Sequence, residues 1–168
     1  MPKNKHIKKE IDEIDLEINN LLQFMANSKI INFDQVDYLL NKTYNNIKLE
    51  LDNINLALTT KRLKYVEMRK EQVSILKRIN QVLISVLPIE EKTIILDFIK
   101  EFDGQIGEEN YAAPLALKLE ELFSFFKVRS LPTDRFAFEN RAQLYYVLQE
   151  LNQFLNLKLT YHQTTENL

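Results

Sequence analysis

Apolar residues recur at three- and four-residue steps along most of the chain, which is the spacing of one face of an α-helix. The first of these stripes predicts a helix from about Ile7 to Met25. Lys, Asp, Glu and Asn side chains occupy the rest of that helix surface. The stripe itself consists of Ile7, Ile11, Ile14, Ile18, Leu21, Leu22 and Met25.

A second stripe predicts a helix that starts near Phe33. A short polar side chain, Asn32 or Asp34, can accept hydrogen bonds from the amides of its first turn. We expect residues 59–60, both threonine, to break this helix or to mark a weak point within a longer one. The stripe runs through Val36, Leu40, Ile47, Leu51, Ile54 and Leu58.

A third helix is expected over about residues 61–86, and Pro88 ends it, because proline clashes with the preceding turn and donates no amide hydrogen. A shorter helix is predicted over about residues 89–102. Gly104 then suits the left-handed position that commonly follows a helix. The stripe of the third helix is Leu63, Val66, Val73, Leu76, Ile79, Leu83 and Val86.

Two more helices complete the pattern. One is expected over about residues 109–127, and the last is capped by Thr133 or Asp134 and runs to about Asn156. The polar segment 160–168 is expected to fray. These periods predict an all-α, antiparallel helical bundle of four to six helices. We predict a single domain over residues 1–168, with a basic N-terminal flank at residues 1–9.

Composition excludes several kinds of chemistry. The 168 residues include no cysteine, so disulfide scaffolds, thiolate zinc sites and cysteine nucleophiles are ruled out. With two glycines in the whole chain, no glycine-rich phosphate loop can form. The formal net charge of -2 argues against nucleic acid as a partner, since phosphate binding needs a basic excess or a basic face.

No catalytic, metal or cofactor site is predicted. His6 and His162 lie in the polar flanks without a partner at metal-ligand spacing, so we interpret them as solvated. Paired carboxylates such as Glu120 and Glu121 are typical of solvated helix faces. The lysines of the basic flank predict either a solvated tail or contact with anionic lipid at a membrane surface. They are Lys3, Lys5, Lys8 and Lys9.

Two polar clusters within strongly apolar helices are the candidate sites. The first contains Glu67 and Arg69. The second, near the start of the last helix, contains Arg135, Glu139, Asn140 and Arg141. Because an unpaired buried charge is costly, we predict a network between helices or a ligand site. In that network Arg69 pairs with Glu139, and Glu67 pairs with Arg141 or Arg135.

The same two segments carry a family resemblance. Residues 64–76 read KYVEMRKEQVSIL, and residues 131–142 read LPTDRFAFENRA. Together with the following LQELNQFL run at residues 148–155, they resemble the C-terminal domain of the putative bacterial aromatic acid exporter family. Asp134 stands between Thr133 and Arg135, where the family pattern has arginine directly after threonine.

The resemblance implies a domain on the cytoplasmic face of a membrane, attached to an upstream transmembrane domain of the same protein. It would act in assembly, gating or regulation of transport, with a homo-oligomer as a further expectation. The first alternative is a free-standing helical module that binds a partner helix or a second copy of itself. The second alternative is a sensor of an aromatic carboxylate, with Arg69 or Arg141 as its anion partner.

Overall fold

A computed structural model describes residues 2–50, 55–109 and 113–168, with side chains from residue 6 onward. Over these residues the chain forms six helices and no strand, which confirms the all-α bundle. Within the same residues, no helix is both long and apolar enough to cross a bilayer. The helices are α1 Pro2–Ala26, α2 Asp34–Leu49, α3 Leu56–Ser85, α4 Glu90–Lys100, α5 Ala113–Val128 and α6 Arg135–Thr165.

Contacts between helices show that α3 runs antiparallel to both α2 and α6. Along the pair α2 and α3, Asp37 contacts Lys77, and Tyr44, further along α2, contacts Glu67, which is earlier on α3. Tyr65 and Tyr161 pack edge to face, and Arg78 contacts Glu150, so α6 runs antiparallel to α3. The long helices α3 and α6 form the centre of the bundle.

The predicted stripe of α1 is buried over its full length, from Ile7 at 1% exposure to Met25 at 3%. The stripe of α2 is likewise buried at Val36, Leu40 and Ile47. These apolar faces pack against other helices of the same chain. They are therefore not available to bind a partner helix, although their periodicity had suggested such binding.

The break between the second and third helices is earlier than predicted. The third helix begins at Leu56, and Asn55 caps it by accepting a hydrogen bond from the Leu58 amide at 3.0 Å. Thr59 lies inside this helix, is buried, and donates its hydroxyl to the Asn55 carbonyl at 3.2 Å. The prediction of a helix break at residues 59–60 is therefore wrong, because the Thr59 hydroxyl is hydrogen-bonded within the helix. The stripe positions 51 and 54 lie outside the described residues.

The predicted turn chemistry is otherwise largely confirmed. Asp134 caps α6 by accepting from the Ala137 amide at 2.8 Å. At α2 the N-cap residue is Phe33, which has no capping side-chain bond, and Asn32 before it accepts a hydrogen bond from the Asp34 amide at 2.8 Å. Gly104 follows α4 with a φ of +69°, a conformation that glycine adopts without steric cost.

The last helix is nine residues longer than predicted, ending at Thr165 where Asn156 was expected. Segment 160–168 was predicted to fray, and that is wrong for its helical part, because Tyr161 and Thr165 are buried. The segment looked exposed because most of its residues are polar, but Tyr161 and Thr165 continue the inward-facing heptad positions of α6. Tertiary packing against α3 therefore extends the helix.

Tyr161→Ala tests this extension. The ring is 8% exposed and packs on Tyr65 at a centroid distance of 5.2 Å. We expect the free energy of unfolding to fall by about 3 kcal/mol, as measured by urea denaturation. Leu159→Ala, at a position on α6 that is 45% exposed, is the control and should change it by less than about 0.5 kcal/mol. Equal effects of the two substitutions would contradict the packed end of α6.

Candidate functional site

Polar residues replace apolar ones at inward positions of three helices. On α3, Tyr65, Arg69 and Gln72 occupy the same heptad face as the apolar residues that follow them at positions 76, 79 and 83. Asp15 on α1 and Lys158 on α6 occupy equivalent inward positions on their own helices. All five side chains meet between α1, α3 and α6, and we call them the buried polar network.

Arg69 is the centre of this network and is 1% exposed. Its Nε donates to Asp15 Oδ1 at 2.9 Å, and its Nη1 donates to Gln72 Oε1 at 2.7 Å. Nη2 donates to the Tyr65 hydroxyl at 2.6 Å, and that hydroxyl in turn donates to Asp15 Oδ2 at 2.6 Å. Gln72 extends the chain of hydrogen bonds by donating to the Phe154 carbonyl at 2.8 Å. One guanidinium thus connects α1, α3 and, through Gln72, α6.

A second cation, Lys158, closes the network against the segment between α4 and α5. Its ammonium donates to the Gly107 carbonyl and to the Glu108 carbonyl, the latter at 2.9 Å. Arg69 Nη2 also donates to the Gly107 carbonyl, at 3.2 Å. One backbone oxygen therefore accepts from two cations, and segment 105–109 is held over the network.

The network contains two buried cations and one buried carboxylate. Burial, and then the neighbouring charge of Arg69, lower the pKa of Lys158 to about 7, while Asp15 and Glu108 act in the opposite direction. Burial raises the pKa of Asp15, and Arg69 opposes that change. Burial also raises the pKa of Tyr65, so its hydroxyl stays protonated as a donor to Asp15. The network is thus an electrostatically unbalanced site in a low-dielectric interior.

The predicted pairing of Arg69 with Glu139 is wrong. Arg69 uses Asp15 as its carboxylate partner, whereas Glu139 is 55% exposed and pairs with Arg135 on the surface at 2.9 Å. The reason is helical phase: Asn140, one residue further, takes the inward position and is buried. Its amide donates to the Phe136 carbonyl at 3.0 Å, one turn back on the same helix.

The predicted pairing of Glu67 with an arginine of the last helix is also wrong. Glu67 is exposed and accepts a hydrogen bond from the Tyr44 hydroxyl of α2 at 3.3 Å. Position 67 faces away from the heptad stripe on which Arg69 lies. Arg69 and Arg141 therefore belong to two separate regions, and Glu67 belongs to neither.

Arg141 ties α6 to the end of α5. Its Nη2 donates to the Phe126 carbonyl at 2.7 Å and to the Arg129 carbonyl at 3.1 Å, and its Nη1 donates to the Ser130 carbonyl. The last carbonyls of a helix lack intrahelical partners and carry partial negative charge, which a guanidinium satisfies. Arg141 therefore acts as a tertiary C-cap for α5, a role that its position in the sequence did not reveal.

Sequence reasoning did not single out four members of the network: Asp15, Tyr65, Gln72 and Lys158. Each could have been found as a polar residue at a position where the three- and four-residue steps require an apolar one. Asp15 lies between Ile11 and Ile18 in such a series. Lys158 was missed because the last helix was expected to end before it.

The basic flank is only partly described. Lys8 pairs with Asp12 at 3.1 Å and with Glu108 at 2.9 Å, while Lys9 is exposed. The side chains of Lys3 and Lys5 lie outside the described residues. Contact of this flank with a membrane surface stays a prediction.

The fold and the buried polar network together define an all-α domain whose helices are joined by buried charged side chains. The family model described as "Putative aromatic acid exporter C-terminal domain" matches residues 3–159, and the chain belongs to this family. The match confirms the resemblance that the two polar segments carried. It describes a domain associated with an exporter and not a family of enzymes.

Two similar proteins accompany the family match. "Uncharacterized protein YqjA" of Bacillus subtilis (strain 168) is 30% identical over 95 residues, which are 56% of this chain and 30% of that protein. A crystal structure of a "putative membrane protein from Clostridium difficile 630" aligns with a TM-score of 0.77 at 23% identity. That alignment covers 96% of this chain and 98% of the other, and it shows a shared fold.

Asp15→Ala tests how much the buried polar network contributes to the free energy of unfolding. It leaves the Arg69 guanidinium buried without its carboxylate, so the free energy of unfolding should fall by about 3–5 kcal/mol. Asp37→Ala breaks the matched but exposed pair with Lys77, which has an N–O distance of 2.8 Å. That control should cost about 0–1 kcal/mol. Urea denaturation measures both, and a loss for Asp15→Ala as small as that of the control would argue against this contribution.

Lys158→Met tests the unbalanced charge through pH. Folding lowers the pKa of Lys158 from 10.5 to about 7, so the unfolded chain binds more protons than the folded chain between these values. The charged form therefore costs stability below this window, and the wild-type free energy of unfolding rises with pH within it. Relative to the variant, we expect a rise of up to about 1.4 kcal/mol per pH unit.

The measurement is urea denaturation of both proteins at about pH 6.5 and about pH 8.5, on either side of neutrality. Because the other titrating groups are common to both proteins, their contributions largely cancel in the difference. Parallel pH dependence of the two proteins would show that Lys158 keeps its proton throughout, and the predicted pKa change would then be wrong.

Proposed function

We propose that this chain is the cytoplasmic domain of a membrane exporter of aromatic acids, where it acts as an assembly or gating module. Membership of the exporter-associated family supports this proposal. The observation that carries the gating role is the buried polar network, which joins α1 to two other helices and to segment 105–109. A family described as a C-terminal domain implies that the membrane part precedes α1.

In that arrangement α1 is the first element to receive a displacement from the membrane part. It cannot slide as a loose linker, because its apolar stripe is buried throughout and Asp15 is bonded to both Tyr65 and Arg69. A shift of α1 would have to break or carry the network with it. Discrete rearrangement of packed elements is how such shifts are transmitted through a protein.

The basic flank suits the same arrangement. Lys8 and Lys9 lie near the start of α1, and two further lysines precede them in sequence. Lysines next to a membrane-spanning segment favour the cytoplasmic side and attract anionic lipid. We therefore assign this flank to the cytoplasmic leaflet, with a homo-oligomer as the assembly that the domain would serve.

The rival function is a free-standing interaction module. The burial of the α1 and α2 stripes within the chain weighs against it, since these were the faces proposed for a partner helix. Gene context discriminates between the two. The codons upstream of this segment should encode several apolar spans, and a start codon at Met1 without them would overturn the exporter assignment.

A conservative substitution tests gating in the full-length protein. Tyr65→Phe removes the hydroxyl that bridges Asp15 and Arg69 but keeps the buried ring. With radiolabelled benzoate as the probe in membrane vesicles, we expect efflux to fall by at least about fivefold, the scale of a coupling between distant sites. The control is Tyr38→Phe on the exposed face of α2, where the ring is 60% exposed.

Membrane protein levels are measured in parallel by immunoblot, so that loss of expression is separated from loss of coupling. Wild-type efflux from Tyr65→Phe at normal expression would contradict the gating role and leave assembly as the function of the network. Subunit number in detergent, compared for the same variants, then decides whether the network supports assembly.

A further inference from the structure

A cavity of about 510 Å³ lies where the end of α5 meets the beginning of α6, at the α5–α6 corner formed by residues 126–145. Its volume falls within the range of about 300–1,000 Å³ that is usual for small-molecule sites. The wall is mostly apolar and includes three aromatic rings. The apolar side chains are Phe126, Leu131, Phe138, Ala142 and Tyr145.

The charged residues that line this cavity are all cations: Lys127, Arg129 and Arg141. Arg129 is held by Glu90 at 2.9 Å and by Glu91 at 3.1 Å. Lys127 has no ion-pair partner within the described part of the chain. Its ammonium is therefore the group best able to pair with a bound anion, because two glutamates offset the charge of Arg129 and Arg141 is bound to backbone carbonyls.

A neighbouring cavity of about 460 Å³ shares both arginines but also includes Glu91 in its lining. A carboxylate there repels an anion, so the neighbouring cavity is the poorer anion site. This difference in charge selects the first cavity.

The corner is preorganised. Arg141 fixes the end of α5 through its carbonyl contacts, and the rings of Phe123 and Tyr145 pack edge to face at 5.6 Å. Leu131 and Phe138 remain 73% and 50% exposed. An apolar ligand would remove this surface from water without rearranging the backbone.

The corner is also far from the start of α1. Lys158 and Lys8 both contact Glu108, so the start of α1 lies beside the end of α6. The α5–α6 corner lies toward the opposite end of α6, and its lining residues Phe138 and Tyr145 are roughly 20–30 Å from Lys158 at the helical rise per residue. Because the membrane part would precede α1, we do not expect this corner to contact the bilayer.

We propose that this cavity binds a small organic carboxylate with an apolar body, which pairs with Lys127 and packs on Phe138. Arg69, the other arginine considered for an anion, is fully engaged in the buried polar network and is not accessible. The ligand site goes beyond the gating role and does not depend on it, because binding is measured on the 168-residue chain alone.

Three matched probes test the chemistry by calorimetry and by amide chemical shifts. They are 3-phenylpropionate, 3-cyclohexylpropionate and the neutral 3-phenylpropanamide. We expect both carboxylates to bind and to shift the amides of residues 126–145, and we expect the amide to bind at least about tenfold more weakly. The ratio between the two carboxylates distinguishes an aromatic ligand from an aliphatic one, and either result supports the proposal.

Lys127→Met should weaken binding of 3-phenylpropionate by about tenfold. The control is Lys118→Met, nine residues earlier on α5 and about half a turn round the helix, which should leave binding unchanged. Phe138→Ala, at a half-exposed position, is the second variant and should also weaken binding. Thermal melting of each variant confirms that it is folded.

Four results would overturn the site. The first is no heat and no shift with either carboxylate up to about 10 mM, a concentration that detects even weak ligands. The second is equal affinity for the neutral amide. The third is a set of shifted amides outside the corner. The fourth is the same loss of affinity in both lysine variants. None of these outcomes bears on the transport experiment with Tyr65→Phe.

Discussion

Arg69 is 1% exposed, so its guanidinium can stay charged only if protein groups replace the water that it has lost. Asp15, the Tyr65 hydroxyl, Gln72 and the Gly107 carbonyl do so. These partners come from α1, α3 and segment 105–109, so the guanidinium is satisfied only when all of them are in place. The register of α1 against α3, and the position of the segment before α5, both follow from this requirement.

The two proposals concern different parts of the molecule. Beside the buried polar network, Lys8 of α1 and Lys158 of α6 both contact Glu108, and there we propose that motion from a membrane part is received. Toward the other end of α6, Arg141 secures α5 to α6 beside an apolar cavity with a basic lining. Helix α6 connects the two parts as a continuous element from Arg135 to Thr165.

Much of the fold was predictable because apolar periodicity is local. The stripe of α1 matched the buried residues, and Asp134 and Gly104 were correctly placed at helix ends. The errors have local causes as well. Polar composition after Asn156 hid a helix that α3 stabilises, and Thr59 imitated a helix break while lying inside α3. Of the candidate site, Arg69 and Arg141 are buried and bound to several protein groups, but their partners are not the ones predicted.

The amino-acid sequence by itself determined the helical class, the approximate helices, the absence of cysteine chemistry and, through two polar segments, the family. Tertiary structure alone decided which charges meet. A heptad stripe shows that a side chain points inward, but the identity of its neighbour depends on how helices far apart in sequence pack. Asp15 and Arg69 are 54 residues apart, and no local pattern links them. Only the packing of α1 against α3 brings these two inward-facing charges together as an ion pair.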